Sequence, residues 1–166
     1  MIRSSRPISP EEGASHYEDL DRIYREVWGE HVHHGLWRTG RETPLEAAEQ
    51  LVELVAAECG ISTGCTAVDI GCGYGATARQ LAAKHGVRVT GLTITPAQFH
   101  FAVAVTPGDN PRYFLQNWPA NGLPDSSFDA AYAIESTEHM DDSASLSPRP
   151  ALHYSGSSAL VVLTGC

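Results

Sequence analysis

The stretch Val68-Asp69-Ile70-Gly71-Cys72-Gly73-Tyr74-Gly75-Ala76 decides the fold of this chain. A short apolar stretch, residues 66–70, precedes the glycines, and a helical pattern over residues 76–85 follows them. Glycine lets the backbone reverse sharply and lets a ligand approach it closely, and the start of the helix offers free N–H groups. A strand, a glycine turn and a helix in this order are therefore typical of a nucleotide-binding unit.

The rest of the chain alternates between strand and helix patterns. Helices are predicted from the capping boxes Thr43-Pro44-Leu45-Glu46 and Thr95-Pro96-Ala97-Gln98, and an apolar stripe predicts another over residues 16–27. Strands are predicted at residues 66–70, 87–92, 112–116, 128–134 and 159–164. This alternation predicts an α/β fold with a doubly wound, mostly parallel sheet.

Composition narrows the classes of partner. The 166 residues suffice for one domain, and the net charge of −9 with a single lysine argues against a surface that tracks phosphates, so no nucleic-acid partner is expected. No apolar run reaches the ~18 residues that span a membrane. The four cysteines form no C-x-x-C pair, which favours reduced thiols, no metal site and a cytoplasmic protein.

Two ligand classes compete for the glycine turn. Gly71, Gly73 and Ala76 also satisfy the dinucleotide pattern G-x-G-x-x-A. That interpretation requires an acid about 20 residues further on to hold the ribose, and the stretch Gly91–Thr95 contains none. The absent acid disfavours a nicotinamide oxidoreductase, and Asp69 extends the pattern to D-x-G-x-G-x-G instead.

This turn resembles the first motif of class I S-adenosylmethionine (SAM) methyltransferases. Four further stretches are similar to the lineage of cyclopropane fatty acid synthases and tocopherol methyltransferase, namely residues 28–37, 89–98, 123–129 and 134–140. The resemblance covers roughly residues 16–142. It implies a Rossmann-like fold with an N-terminal helical cap, divided as a tail and cap segment (1–42) and a SAM-binding domain (43–166).

The resemblance implies roles for individual residues. The cofactor is expected to contact Asp69, Gly71, Cys72, Gly73, Gly75, Thr93, Ile94, Gln98, Asn117 and Trp118. Asp69 would attract the ammonium of the amino-acid tail, Gln98 would hold the ribose and Trp118 would border the adenine. Each has an alternative: a turn cap for Asp69, a helix cap for Gln98 and core packing for Trp118.

The cap and the segment after the fourth strand are the expected acceptor side. By resemblance, His33, His34 and Trp37 lie over the active site and contact substrate. A partly buried loop is the alternative, and the H-x-H spacing alone does not complete a metal site. Glu138 and His139 repeat a pair that helps to hold bicarbonate in cyclopropane synthases, so both are candidate catalytic residues, with a solvated acidic loop as the alternative.

The sequence thus predicts a SAM-dependent methyltransferase that acts on a small molecule by C-, O- or N-methylation. The alternatives are lipid modification of the cyclopropane synthase kind and an inactive, truncated SAM-binding fragment. The resemblance implies seven strands, so this chain, with five, is expected to lack the last ones. Residues 143–159 depart from the pattern, and a displaced reading frame is one hypothesis for that departure.

Overall fold

A five-stranded parallel sheet organises the computed structural model of the protein, which describes residues 29–120, 122–123, 127–136 and, in backbone only, 159–163. The strands are β1 (Thr66–Ile70), β2 (Arg88–Thr93), β3 (Arg112–Leu115), β4 (Ala130–Ile134) and β5 (Ala159–Leu163). Their spatial order is β3-β2-β1-β4-β5, and every neighbouring pair is parallel. The doubly wound parallel arrangement is confirmed, with strand ends within two residues of those predicted.

Within the described residues, helix α1 (Pro44–Glu58) precedes β1, α2 (Ala76–His85) connects β1 to β2, and α3 (Pro96–Val105) connects β2 to β3. The first capping box is confirmed, because Thr43 Oγ1 accepts from the Glu46 N–H at 3.3 Å and the Glu46 carboxylate accepts from the Thr43 N–H at 2.7 Å. Helix α2 ends at Gly86, whose φ of 66° lies in the left-handed region that favours glycine.

The second predicted capping box is wrong. Helix α3 begins at Pro96 as expected, but Thr95 makes no side-chain hydrogen bond to the helix. The Gln98 amide oxygen accepts instead from Thr93 Oγ1 at 3.1 Å. Gln98 is buried beneath the end of β2, so its side chain bonds to the neighbouring strand rather than reaching back to the helix start.

Apolar side chains cover both faces of the sheet. One cluster joins α1 and α2 to the sheet and contains Val52, Val55, Leu81 and Tyr132. On the opposite face, Trp118 packs against a smaller cluster made by alternate strand residues, which are Val68, Ile70, Leu92, Ala131 and Ala133. The carboxyl ends of β1, β2 and β4 are thereby brought together at one edge of the sheet.

Some predictions fall outside the described residues. These are the helix over 16–27, the departure over 143–159 and the pair Glu138-His139. Within the part of the chain that the structure describes, no helix is long and apolar enough to cross a membrane.

Candidate active site

A cavity of about 390 Å³ opens at the carboxyl ends of β1, β2 and β4. Its volume lies in the ~300–1,000 Å³ range of small-molecule sites. It brings together nine of the ten residues expected to contact the cofactor: Asp69, Gly71, Cys72, Gly73, Thr93, Ile94, Gln98, Asn117 and Trp118. Gly75 does not line the cavity. It caps α2 with a φ of 78°, and a Cβ there would lie 2.5 Å from the Tyr113 hydroxyl.

The glycine turn is fixed from three sides. The N–H groups of Gly71 and Cys72 both donate to the Leu92 carbonyl, at 2.9 and 2.8 Å. A Cβ on Gly71 would lie 2.3 Å from Ser136, and one on Gly73 would lie 3.0 Å from Val32. The space beside Gly71 is therefore taken by Ser136, which follows β4, and the space beside Gly73 is bordered by Val32 of the cap. Both glycines also line the cavity.

Asp69 places a buried carboxyl in the cavity wall. Its side chain is 3% exposed, and its Oδ2 atom has no hydrogen-bond partner among the described residues. Burial raises the pKa of this carboxyl from 3.8 to about 7, and the nearby Tyr132 hydroxyl offsets part of that rise. A turn cap would show this oxygen bound to backbone N–H groups, and no such bond is found among the described residues.

A network of hydroxyl and amide groups lies at the end of β2. Thr93 Oγ1 accepts from the Thr95 N–H at 3.2 Å and donates its own proton to the Gln98 amide oxygen. Because that oxygen is occupied, the Gln98 amide nitrogen is the group left to donate into the cavity. Within the described ranges, the residues of β2 and of the turn after it that line the cavity include no Asp or Glu.

The far side of the cavity carries Gln116, Asn117 and Trp118. Trp118 is 4% exposed, and it both packs in the core and lines the cavity. Gln116 was not among the site residues predicted from the sequence. Its Oε1 atom is buried with no partner among the described residues, while its N–H donates to the Thr93 carbonyl at 2.9 Å. Its position at the end of β3, where parallel strands meet a ligand, was the available signal.

The cap segment, residues 29–37, contacts the start of α2 through two side chains. His33 is buried, donates from Nδ1 to the His34 carbonyl at 2.8 Å and accepts at Nε2 from Thr77 Oγ1 at 3.3 Å. The Arg79 guanidinium donates to the Tyr74 carbonyl at 2.8 Å and pairs with Glu30. The cap is thus fastened to both the glycine turn and the helix that follows it.

Two cap histidines are held in the neutral form. Burial lowers the pKa of His31 from 6.5 to about 4, with His33 adding to the effect. Burial also lowers the pKa of His33. Their rings lie edge to face, with His31 Nδ1 3.2 Å from His33 Nε2. No group of side chains able to hold a metal ion is found within the described ranges.

The three predicted acceptor residues meet in a neighbouring cavity of about 1020 Å³ between the cap, α1 and α2, which His33, His34 and Trp37 all line. His33 also lines the cofactor-side cavity. His31 and His33 contribute to both cavities and form part of the wall between them. Trp37 is half-exposed, as the alternative of a partly buried loop also allows.

Glu135 connects the cap to the sheet. Its carboxylate accepts from the His34 N–H at 3.1 Å and from His34 Nδ1 at 2.7 Å, and its φ is 49°. The side chain is only 12% exposed, so Glu135 is not part of a solvated acidic loop. Glu135 was not among the site residues predicted from the sequence, because only the folded cap supplies its partner.

Comparison with known proteins agrees with this architecture. The chain matches the mycolic acid cyclopropane synthetase family over residues 5–145. It is 36% identical to the O-methyltransferase resE of Aspergillus sclerotiorum over 82% of this chain and 54% of that protein. It is 34% identical to a 2-methyl-6-phytyl-1,4-hydroquinone methyltransferase of Synechocystis sp. over 75% of this chain and 41% of the relative.

The fold is shared with the cyclase SpnF, at a TM-score of 0.78 and 26% identity over 86% of this chain and 55% of the other. The chain spans about half the length of the curated relatives that it matches. The match over residues 5–145 and the Rossmann-like sheet confirm the resemblance drawn from the glycine turn. The chain belongs to the mycolic acid cyclopropane synthetase family of class I SAM-dependent methyltransferases.

Proposed function

We propose that this chain binds S-adenosylmethionine and forms the cofactor half of a methyltransferase that acts on a small molecule by C-, O- or N-methylation. The observation that carries the proposal is the buried Asp69 carboxyl, with an unpartnered oxygen in a cavity that opens at the glycine turn. A buried carboxylate needs a counter-charge or donors, and the ammonium of the cofactor tail supplies both.

The donor set fits the remaining parts of the cofactor. The Gln98 amide nitrogen and the Thr93 region suit the ribose hydroxyls, and Trp118 offers an aromatic face to the adenine. Asn117 and Gln116 add amide groups for the ring nitrogens and the exocyclic amine. In this proposal residues 43–166 are the cofactor domain and residues 1–42 the tail and cap.

When bound, the cofactor supplies an activated methyl group, so the protein's contribution is orientation and exclusion of water. Val32 and His33 cover the glycine turn and the start of α2, which shields that side of the cavity. The neighbouring cavity, lined by His33, His34 and Trp37, is the proposed place of the methyl acceptor. Glu138 and His139 remain predictions as catalytic residues, because they lie outside the described residues.

Calorimetric titration tests the proposal. We expect heat of binding with SAM and with its product S-adenosylhomocysteine (SAH), and none with NAD. Asp69→Asn is expected to weaken SAH binding at least tenfold, since a contact with a charged group contributes about 1.5–3 kcal/mol. Binding of NAD in preference to SAM would contradict the proposal and restore the oxidoreductase interpretation.

Lipid modification of the cyclopropane synthase kind is the second candidate, favoured by the description of the matching family. Bicarbonate-dependent turnover and lipid products would support it over simple methylation. A chain that binds SAH but turns over no acceptor from a screen of quinols, phenols, sterols and amines would support the binding-fragment alternative. We place the protein in the cytoplasm, which cell fractionation tests.

A further inference from the structure

Asp69 and Tyr132 form a register pair between β1 and β4. Side chains of directly paired residues leave the sheet on the same face, so the carboxyl and the phenol are neighbours. Asp69 is 3% exposed and lines the cavity, whereas Tyr132 is fully buried and belongs to the core cluster behind it. Tyr132 therefore lies behind Asp69, on the side away from the ligand space.

Both side chains carry an unsatisfied polar atom. Within the described part of the chain, neither Asp69 Oδ2 nor the Tyr132 hydroxyl completes a hydrogen bond. The hydroxyl is nevertheless close enough to lower the pKa of Asp69. Burial, and then the charge of Asp69, raise the pKa of Tyr132 well above its usual value, so the phenol keeps its proton and is a donor.

A buried hydroxyl without a partner is costly, and phenylalanine would fill the same volume without that cost. A tyrosine at this position therefore calls for a hydrogen-bond partner of its hydroxyl in some state of the protein. Asp69 is the adjacent acceptor, and it becomes a much better acceptor when it is ionised, because hydrogen bonds to charged groups are the stronger ones.

We propose that Tyr132 is a positioning residue that acts through Asp69: when a cationic group of the ligand enters the cavity, the Tyr132 hydroxyl donates to the carboxylate and holds its other oxygen toward that cation. This inference rests on the proposed function, since the cation is the ammonium of the cofactor tail. Tyr132 itself touches no ligand.

Other titratable groups lie on the surrounding elements. Cys72 of the turn is buried, and Asp69 helps to raise the pKa of its thiol. Tyr113 of β3 donates its hydroxyl to the Gly75 carbonyl at 3.2 Å, and the Arg79 guanidinium of α2 is engaged by Tyr74 and Glu30. Burial and Tyr132 are the influences that set the pKa of Asp69.

The test compares two ligands that differ in the amino-acid tail. SAH carries the ammonium, and 5′-methylthioadenosine has the same adenosine without it. For Tyr132→Phe we expect SAH to bind about three- to tenfold more weakly, in the range of one lost hydrogen bond, with methylthioadenosine binding unchanged. Tyr113→Phe is the matched control, because it removes a buried hydroxyl on the same face that does not face Asp69, and it should affect both ligands alike.

A second readout requires no ligand. Carbon-13 NMR titration of the Asp69 carboxyl should show a higher midpoint in Tyr132→Phe than in the wild type, because a donor that favours the ionised form has been removed. The inference would be overturned if Tyr132→Phe weakened the binding of SAH and 5′-methylthioadenosine equally. It would also be overturned if the variant changed neither the SAH affinity nor the titration midpoint of Asp69. Absence of SAH binding by the wild-type protein would overturn the proposed function and this inference with it.

Discussion

His34 and Glu135 are 101 residues apart in the chain, and the imidazole Nδ1 lies 2.7 Å from a carboxylate oxygen of Glu135. The same carboxylate accepts from the His34 backbone N–H. Because Glu135 directly follows β4, this contact fastens the cap to the edge of the sheet where the cavity opens.

Glu135→Gln should loosen the cap without unfolding the domain. The neutral amide is a weaker acceptor, and His34 is mostly exposed, so we expect a loss of about 1 kcal/mol, or roughly fivefold faster local opening. Hydrogen exchange over residues 29–37 measures it. Glu42→Gln is the control, since its carboxylate accepts from the N–H groups of Thr39 and Arg41 and should affect exchange only there. Unchanged cap exchange in Glu135→Gln would contradict the role of this contact.

Glu135 also tests backbone strain, because its φ of 49° lies in the left-handed region. Glu135→Gly and Glu135→Ala both remove the carboxylate, but only glycine adopts this φ without a steric cost. We expect Glu135→Gly to be more stable than Glu135→Ala by about 1 kcal/mol in urea unfolding. Equal stabilities would mean that the backbone relaxes at this position.

Asp69→Asn should make the stability of the ligand-free protein less sensitive to pH. The pKa of Asp69 is about 7 in the folded protein against 3.8, so the folded state holds a proton that the unfolded state releases. Stability therefore falls as pH rises from about 4 to 7, by an upper limit on the order of 4 kcal/mol. Asparagine does not titrate, so the unfolding free energy of Asp69→Asn relative to that of the wild type should be higher at pH 8 than at pH 5. Denaturant unfolding at the two pH values measures this difference. The same difference in unfolding free energy at pH 5 and pH 8 would contradict the prediction, because it would mean that Asp69 of the folded protein is ionised at both.

Gly91→Ala should destabilise the fold through steric overlap alone. A Cβ there would lie 2.7 Å from the Tyr113 ring and 3.0 Å from Cys72 Sγ. Overpacking of this kind costs about 1–3 kcal/mol in unfolding free energy. Tyr113→Leu in the same chain should recover part of the loss, and a double-mutant cycle isolates that coupling. If the losses of unfolding free energy in Gly91→Ala and Tyr113→Leu were additive, overlap with the Tyr113 ring would not be the cause of the destabilisation.

Gln98→Ala should weaken SAH and 5′-methylthioadenosine equally, because both ligands carry the ribose proposed to accept from its amide nitrogen. Loss of one hydrogen bond predicts about a three- to tenfold weaker affinity by calorimetry. This pattern differs from that of Asp69→Asn, which should affect SAH alone. If Gln98→Ala weakened the binding of SAH alone, Gln98 would contact the amino-acid tail rather than the ribose.

Local patterns were sufficient for most of the scaffold. The span Thr66–Ile70 is a strand and Ala76–His85 a helix at the predicted residues, because a glycine turn separates two clear hydrophobic periods. A local pattern was misleading at Thr95, where the spacing of a capping box is present but Gln98 bonds to Thr93. A buried partner on the neighbouring strand outcompetes a helix start for the same amide.

The sequence by itself determined the family, the strand–turn–helix unit and nine of the residues that line the cavity, since glycine spacing and hydrophobic period are properties of short segments. Only the tertiary structure decided which side chains meet. The pairing of Asp69 with Tyr132 depends on the register of β1 against β4, and that of His34 with Glu135 depends on where the cap folds back. Contacts across such separations arise from strand pairing and packing, which no local pattern in the chain encodes.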